Sequence, residues 1–230
     1  QRDRGNGLGG GFAAYGIYPE HKDEYAFHIM YQGEGRHNAL IHKIEDYLES
    51  RTKIYQSQEI PVYPSDRIPK GPYFKRYFIK PLEEQISPDQ SEEDLIVEIV
   101  MTINQMGGAF VVSSGKNMGV FKGVGYPEEI ADYFRIQDYR GYMWIAHNRF
   151  PTNTPGWWGG AHPFTILDKA VVHNGEITSY GTNLRWLEMY GYYCLLKTDT
   201  EVISYIYDKL TRKDGLSIQD ATYVMAPSLW

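Results

Sequence analysis

Three places in this 230-residue chain bring reactive polar groups to the ends of apolar stretches. GYMWIAHNRF (141–150) ends in Asn148-Arg149, with Thr152 just beyond. AVVH (170–173) runs into His173-Asn174-Gly175, and Thr198-Asp199 opens TDTEVISYIYDKL (198–210). Each has an ordinary reading by itself. Arg149 at a strand end needs a partner, which an internal ion pair would supply. Asp199 stands where a helix cap is expected. His162, in GGAHPF, has the place of a satisfied loop histidine. Asn-Gly is the favoured pair of a two-residue hairpin turn.

Together the groups describe a ligand. A guanidinium fork for a carboxylate and a carboxylate for an ammonium are the two grips an α-amino acid requires. A side-chain amide beside a glycine N–H can hold the oxygen of a reacting carbonyl as negative charge develops on it. Arg149, Asp199, Asn174 and Gly175, so arranged, point to hydrolysis of the carboxamide of glutamine or asparagine.

The elements that must position them follow from periodicity. GFAAYGIYP (11–19) and YAFHIMYQ (25–32) read as two strands joined by a polar turn, and GGAFVVSSGKNMGVFKGVG as two strands around Ser-Gly-Lys-Asn. NALIHKIEDYLESR (38–51) places Leu40, Ile41, Ile44, Tyr47 and Leu48 on one helical face. The proline-broken stretch 57–88 reads as a connector with one strand in RYFIKPL. Helices are expected within 87–106, 127–134, 182–191 and 198–210, the first with an acidic start and the third stopped by glycine. GYMWIAHNRF and AVVH read as buried strands and YYCLL as a short one. Strands with interspersed helices in no regular alternation indicate an α+β layered domain.

Composition narrows the class. Apolar residues make up 42% and charged residues 23%, so the chain can bury a sizeable core. A net charge of −6 without a basic stripe argues against nucleic acid. No apolar run reaches the length of a membrane span. The single cysteine, Cys194, cannot form an intramolecular disulfide, which favours a reducing, cytoplasmic setting. Gly5 to Gly10 satisfy G-x-G-x-x-G without a preceding strand or following helix, so they read as room for close backbone approach, not a dinucleotide site.

HNRFPTNT, GAHPF, VVHNGEI, NLRWLEMYGY and KTDTEVISYI stand in the order and spacing of the class II glutamine amidotransferase domain, which the chain resembles over the whole of 1–230 and most densely from Gly141 to Leu210. The resemblance implies an N-terminal-nucleophile hydrolase fold, an αββα sandwich of two stacked antiparallel sheets flanked by helices. Within the family, FPTNTPGWWGGAHPF and HNGEI look most like the amidotransferase part of an archaeal-type glutamate synthase. By position, Arg149 would bind the α-carboxylate of glutamine with Thr152 assisting, Asp199 would hold the α-ammonium, and Asn174 with Gly175 would form the oxyanion hole. His162 would line the pocket. Phe150 and Asn153 stand where sugar-synthesising relatives carry Trp and His.

The family's nucleophile is an N-terminal cysteine, and Gln1 cannot replace it. The expectation is a nucleophilic cysteine upstream of Gln1, with a C-terminal portion possible beyond APSLW. Cys194 lies among aromatic and apolar neighbours, where a buried inert thiol is expected. No cofactor is expected in this chain, since one cysteine cannot ligate an iron–sulfur cluster. A glutamate synthase would carry FMN and such a cluster on partner domains or subunits, and an oligomer is expected. A glutamine-binding module without turnover, and an amidotransferase of another class II synthase, remain alternatives.

Overall fold

The computed structural model describes residues 5–33, 38–150 and 156–226. Strand β1 (Gly10–Tyr15) is the centre of a three-stranded antiparallel sheet, between β6 (Met118–Gly123) and β7 (Met143–Asn148). A four-stranded antiparallel sheet has the order β3 (Thr52–Glu59), β4 (Tyr73–Pro81), β2 (Tyr25–Tyr31), β5 (Ala109–Ser113). A short hairpin, β8 (Phe164–Ile166) and β9 (Lys169–Val171), completes the strands.

The two-residue period of a strand sorts the core into layers. Phe12 and Ala14 of β1 meet Ala26, Met30, Phe78, Phe110 and Phe121 in the apolar layer between the sheets. The alternate residues of β2, Phe27, Ile29 and Tyr31, pack under α1 (Asn38–Arg51) and α2 (Glu92–Gln105) through Ile44, Leu48, Ile96 and Ile99. Helices α4 (Tyr180–Glu188) and α5 (Asp199–Asp208) add Leu187, Val202 and Tyr205 to the same cluster. This is the stack of antiparallel sheets and helices that the sequence leads one to expect. Shorter helices α3 (Pro127–Tyr133) and α6 (Ile218–Met225) complete the described chain.

Several local expectations need correction. The strand pairs read at 11–32 and around Ser-Gly-Lys-Asn exist, but in each case the two strands join different sheets. β1 and β6 pair with each other, while β2 and β5 do the same in the other sheet. The two crossings are stitched together: Gly16 N–H donates to the Asn117 carbonyl at 2.7 Å, and Tyr18 N–H to Asn117 Oδ1 at 2.8 Å. Residues 57–59 belong to β3, whose polar sequence escapes a search for alternation because it is a largely exposed edge strand. GYMWIAHNRF and AVVH are not buried strands. β7 is a partly exposed edge, and β9 is half-buried and ends at Val171. YYCLL forms no strand, because the Glu201 carboxylate takes the N–H groups of Leu195 (3.1 Å) and Leu196 (2.8 Å) that a ladder would have used.

Glycines of the run allow the approach inferred for them, a Cβ on Gly10 falling 2.9 Å from the Pro127 backbone nitrogen, and Gly11 inside β1 does the same. A Cβ on Gly9 would stand 2.9 Å from Arg149 Cδ, and one on Gly11 would collide with the His162 carbonyl. Gly11→Ala should therefore lower stability by roughly 1–3 kcal/mol through overpacking. Thermal denaturation checks this, and an unchanged midpoint would contradict the close packing.

His28 is fully buried between the sheets, with Nδ1 3.0 Å from the Val120 carbonyl and Nε2 2.8 Å from the Tyr18 hydroxyl. Burial, reinforced by the Arg76 guanidinium, pushes its imidazole down to about 3. The folded state keeps the ring neutral while the unfolded chain protonates it near 6.5. This group's stabilisation is therefore complete above pH 6.5 and erodes as pH falls toward 3, by about 1.4 kcal/mol per pH unit. Urea denaturation at pH 7 and pH 5 should show a smaller acid loss for His28→Asn than for the wild type; equal losses would refute the assignment.

Candidate active site

The start of α5 shows how the sequence frees an acid for a site. Thr198, in extended conformation, caps the helix: its side-chain oxygen accepts from Glu201 N–H at 3.2 Å. Asp199 is thus the first helical residue and not the cap. Its carboxylate is oriented from two sides, Oδ2 accepting from Ile177 N–H at 2.9 Å and Oδ1 from the Thr200 hydroxyl at 3.2 Å.

Arg149 follows the last residue of β7. Its backbone N–H donates to the Gly9 carbonyl at 2.8 Å, prolonging the β1–β7 register by one step and delivering the side chain to a nearly buried position, 5% exposed. Burial lowers the guanidinium's pKa, and the Asp199 charge opposes that shift. Arg149 and Asp199 line one cavity of about 290 Å³, together with His162, His173, Asn174 and Gly175. Tyr180, Lys197, Thr198 and Thr200, from α4, α5 and the loop between them, also line it, as do Glu176 and Ile177 after Gly175, and Phe150 after Arg149. The Arg149 guanidinium and the Asp199 carboxylate therefore face one cleft. The predicted assistant, Thr152, lies outside the described residues, as does Asn153.

Asn174-Gly175 does not make a hairpin turn. β9 ends at Val171, no strand follows among the described residues, and the amide and glycine form an exposed lip of the cavity. Behind the lip stand two stacked imidazoles, His147 and His162, with ring centres 4.1 Å apart and planes at 28°. His147 Nε2 is 3.1 Å from the His173 carbonyl, which can only accept, so that nitrogen carries the hydrogen. Burial lowers the pKa of this ring, and the nearby Asn174 side chain opposes that shift. His162 Nε2 is 2.8 Å from Thr200 Oγ1, whose hydrogen goes to Asp199, so His162 donates there. Burial, helped by the neighbouring His147, pushes His162 down to about 2 and keeps it a neutral donor.

His162, read from sequence as a pocket-lining residue, thus acts on Asp199 through Thr200. No motif in the sequence assigns a role to Thr200, His147 or Lys197. Thr200 is legible only in the Thr-Asp-Thr run, where both flanking hydroxyls turn out to serve Asp199: one caps the helix and the other donates to the carboxylate. Lys197 adopts a left-handed backbone (φ 59°) directly before the cap, a conformation uncommon for a side chain of this kind. Cys194 does not line the cavity; it is buried, and burial with the Glu201 charge nearby raises its thiol pKa. Among the described residues no group of three His, Cys, Asp or Glu is placed to hold a metal ion, and no helix is long and apolar enough to cross a membrane.

Comparison with known proteins bears on the whole arrangement. An uncharacterized protein of Archaeoglobus fulgidus is 56% identical over 99% of this chain and 60% of its own length. A putative glutamine amidotransferase of Methanothermobacter thermautotrophicus is 34% identical over 54% of the chain and 41% of its own length. A glutamine–fructose-6-phosphate aminotransferase of Sulfurisphaera tokodaii is 32% identical over 48% of the chain and 19% of its own length. The chain therefore spans less than two thirds of each of these relatives. Glutamine amidotransferases class-II match residues 17–212, which include every site residue described above, and the chain belongs to that family.

Proposed function

We propose that this chain is the glutamine-hydrolysing component of a larger amidotransferase, releasing glutamate and ammonia. The observation that carries this reading is the convergence of Arg149 and Asp199 on one cavity whose lip is Asn174-Gly175. Arg149 would pair with the α-carboxylate of glutamine and Asp199 with its α-ammonium, with Thr152 assisting. The side-chain carboxamide would then lie toward Asn174 and Gly175.

Hydrolysis proceeds in two halves. A thiolate attacks the carboxamide carbon, the carbonyl electrons move onto oxygen, and Asn174 and Gly175 donate to that oxyanion. Collapse breaks the carbon–nitrogen bond, the nitrogen takes a proton and ammonia leaves. Water then cleaves the thioester to glutamate and free thiol. The nucleophile that the family resemblance implies is a cysteine. Cys194 is a poor substitute, because burial holds its thiol protonated and it stands outside the cavity.

The ammonia acceptor we infer is 2-oxoglutarate, aminated on an FMN- and iron–sulfur-containing partner, as in glutamate synthases. The support is the likeness of FPTNTPGWWGGAHPF and HNGEI to that branch. A second reading, a sugar-phosphate acceptor, is favoured by the similarity to proteins named glutamine–fructose-6-phosphate aminotransferase and, in Methanocaldococcus jannaschii, amidophosphoribosyltransferase. Supplying the full-length protein and its co-purifying partners with glutamine and each acceptor in turn, and following the aminated product, separates the two.

Two outcomes test the site. Asn174→Ala should reduce glutaminase turnover about a hundredfold or more, since one oxyanion donor contributes roughly 2.7–4 kcal/mol. A near-normal rate removes Asn174 from the mechanism. Arg149→Lys, which keeps the charge but loses the fork, should raise KM for glutamine at least about tenfold with a smaller effect on kcat. An unchanged KM would place the α-carboxylate elsewhere.

A further inference from the structure

Two fully buried ionisable side chains, Lys122 and Glu201, stand just behind the cavity. Lys122 lies on β6, in the same cross-strand row as Gly11 of β1 and His147 of β7. The missing side chain at Gly11 makes a trough in that row, and the His162 carbonyl descends into it. On one side of the trough the His162 ring stacks on His147. On the other, Lys122 Nζ donates to the carbonyls of Gly159 (3.2 Å) and Pro163 (3.1 Å) and sits 4.2 Å from the Phe164 ring centre. The ammonium thus grips both ends of the loop that carries His162.

Glu201, completely buried on the first turn of α5, grips the other loop. Its two oxygens accept from Leu195 and Leu196 N–H, and Lys197 N–H adds a third bond. That fixes the backbone leading to Thr198 and Asp199. Lys122 and Glu201 line a common void of about 10 Å³, with Thr165 and Tyr205 among its walls. The void is about the size of one water. Burial pushes the Lys122 ammonium down to about 7 and the Glu201 carboxyl up to about 8, while each charge draws the other back toward its ionised form.

We propose that Lys122 and Glu201 are positioning residues for glutamine binding: across their shared void they hold the His162 loop and the Asp199 loop in one register, so that the two grips of the clasp face each other. The loops already touch through His162 and Thr200, and the buried charges set the distance over which that contact closes. Removing one side chain leaves the other buried without its opposite partner, so both loops should shift; removing both should disturb them less. The inference rests on the glutaminase reading above.

The test compares Lys122→Met, Glu201→Gln and the double variant in the full-length protein, measuring kcat, KM for glutamine and the thermal midpoint. Each single variant should raise KM about tenfold or more while kcat at saturation changes by only a few fold. The double variant should bind glutamine better than the Lys122→Met single. If the wild type does not hydrolyse glutamine, the functional reading fails. If it does and the single variants keep its KM, or if their effects on KM multiply in the double variant, the positioning role fails. Should Lys122→Met not fold, Glu201→Gln decides alone, because the amide keeps the shape and one acceptor: a raised KM supports the role and an unchanged one overturns it.

Discussion

A helix begins with N–H groups that lack intrahelical partners, and the way they are satisfied decides what a neighbouring carboxylate can do. In α5 the Thr198 hydroxyl takes the Glu201 N–H, so Asp199 is released from capping duty. Glu201, two residues on, is turned inward to hold the preceding loop, and Thr200 between them passes a hydrogen bond from His162 to Asp199. Four consecutive side chains thus have four different tasks, all set by the rotation of about 100° per residue that a helix imposes. The cavity depends on this turn more than on any other piece of the chain.

The opposite wall depends on absence of bulk. β1 is the central strand of the three-stranded sheet, and its glycines let other backbones lie directly on it. Gly9 accommodates the stem of Arg149, and Gly11 accommodates the loop at His162. A side chain at either place would separate the arginine from the histidine loop. The far end of α5 is anchored by a different set of charges: Asp208, fully buried, accepts from the Tyr192 hydroxyl (2.6 Å) and from Arg212, which also pairs with Asp94 at the start of α2. With both ends of α5 fixed, its N-terminus has little freedom to drift from the cavity.

Arg149, 5% exposed, and Asp199 face the same cavity. The two charges act on each other across a cleft, each partly desolvated and each oriented by its own surroundings. Two opposite charges facing one cavity match the two ends of the zwitterion proposed to bind there.

The amino-acid sequence by itself determined the identities of the reactive groups, the helices with strong period and clear caps, and the family, because hydrophobic spacing, Thr-Asp-Thr and His-Asn-Gly are local patterns. Its glycine run correctly announced close packing, since only a residue without Cβ tolerates it. Tertiary structure decided the rest. Whether β1 turns back on β2 or crosses to another sheet depends on which apolar faces meet, and the local turn does not encode that. YYCLL has strand composition, yet a carboxylate from the next helix claims its N–H groups. Lys122 looks like any surface lysine in FKGVG, and only the fold shows that it is buried, in register with Gly11 and His147, and grips the loop that carries His162. Distances between loops far apart in sequence are products of packing, and the proposed glutamine clasp is such a distance.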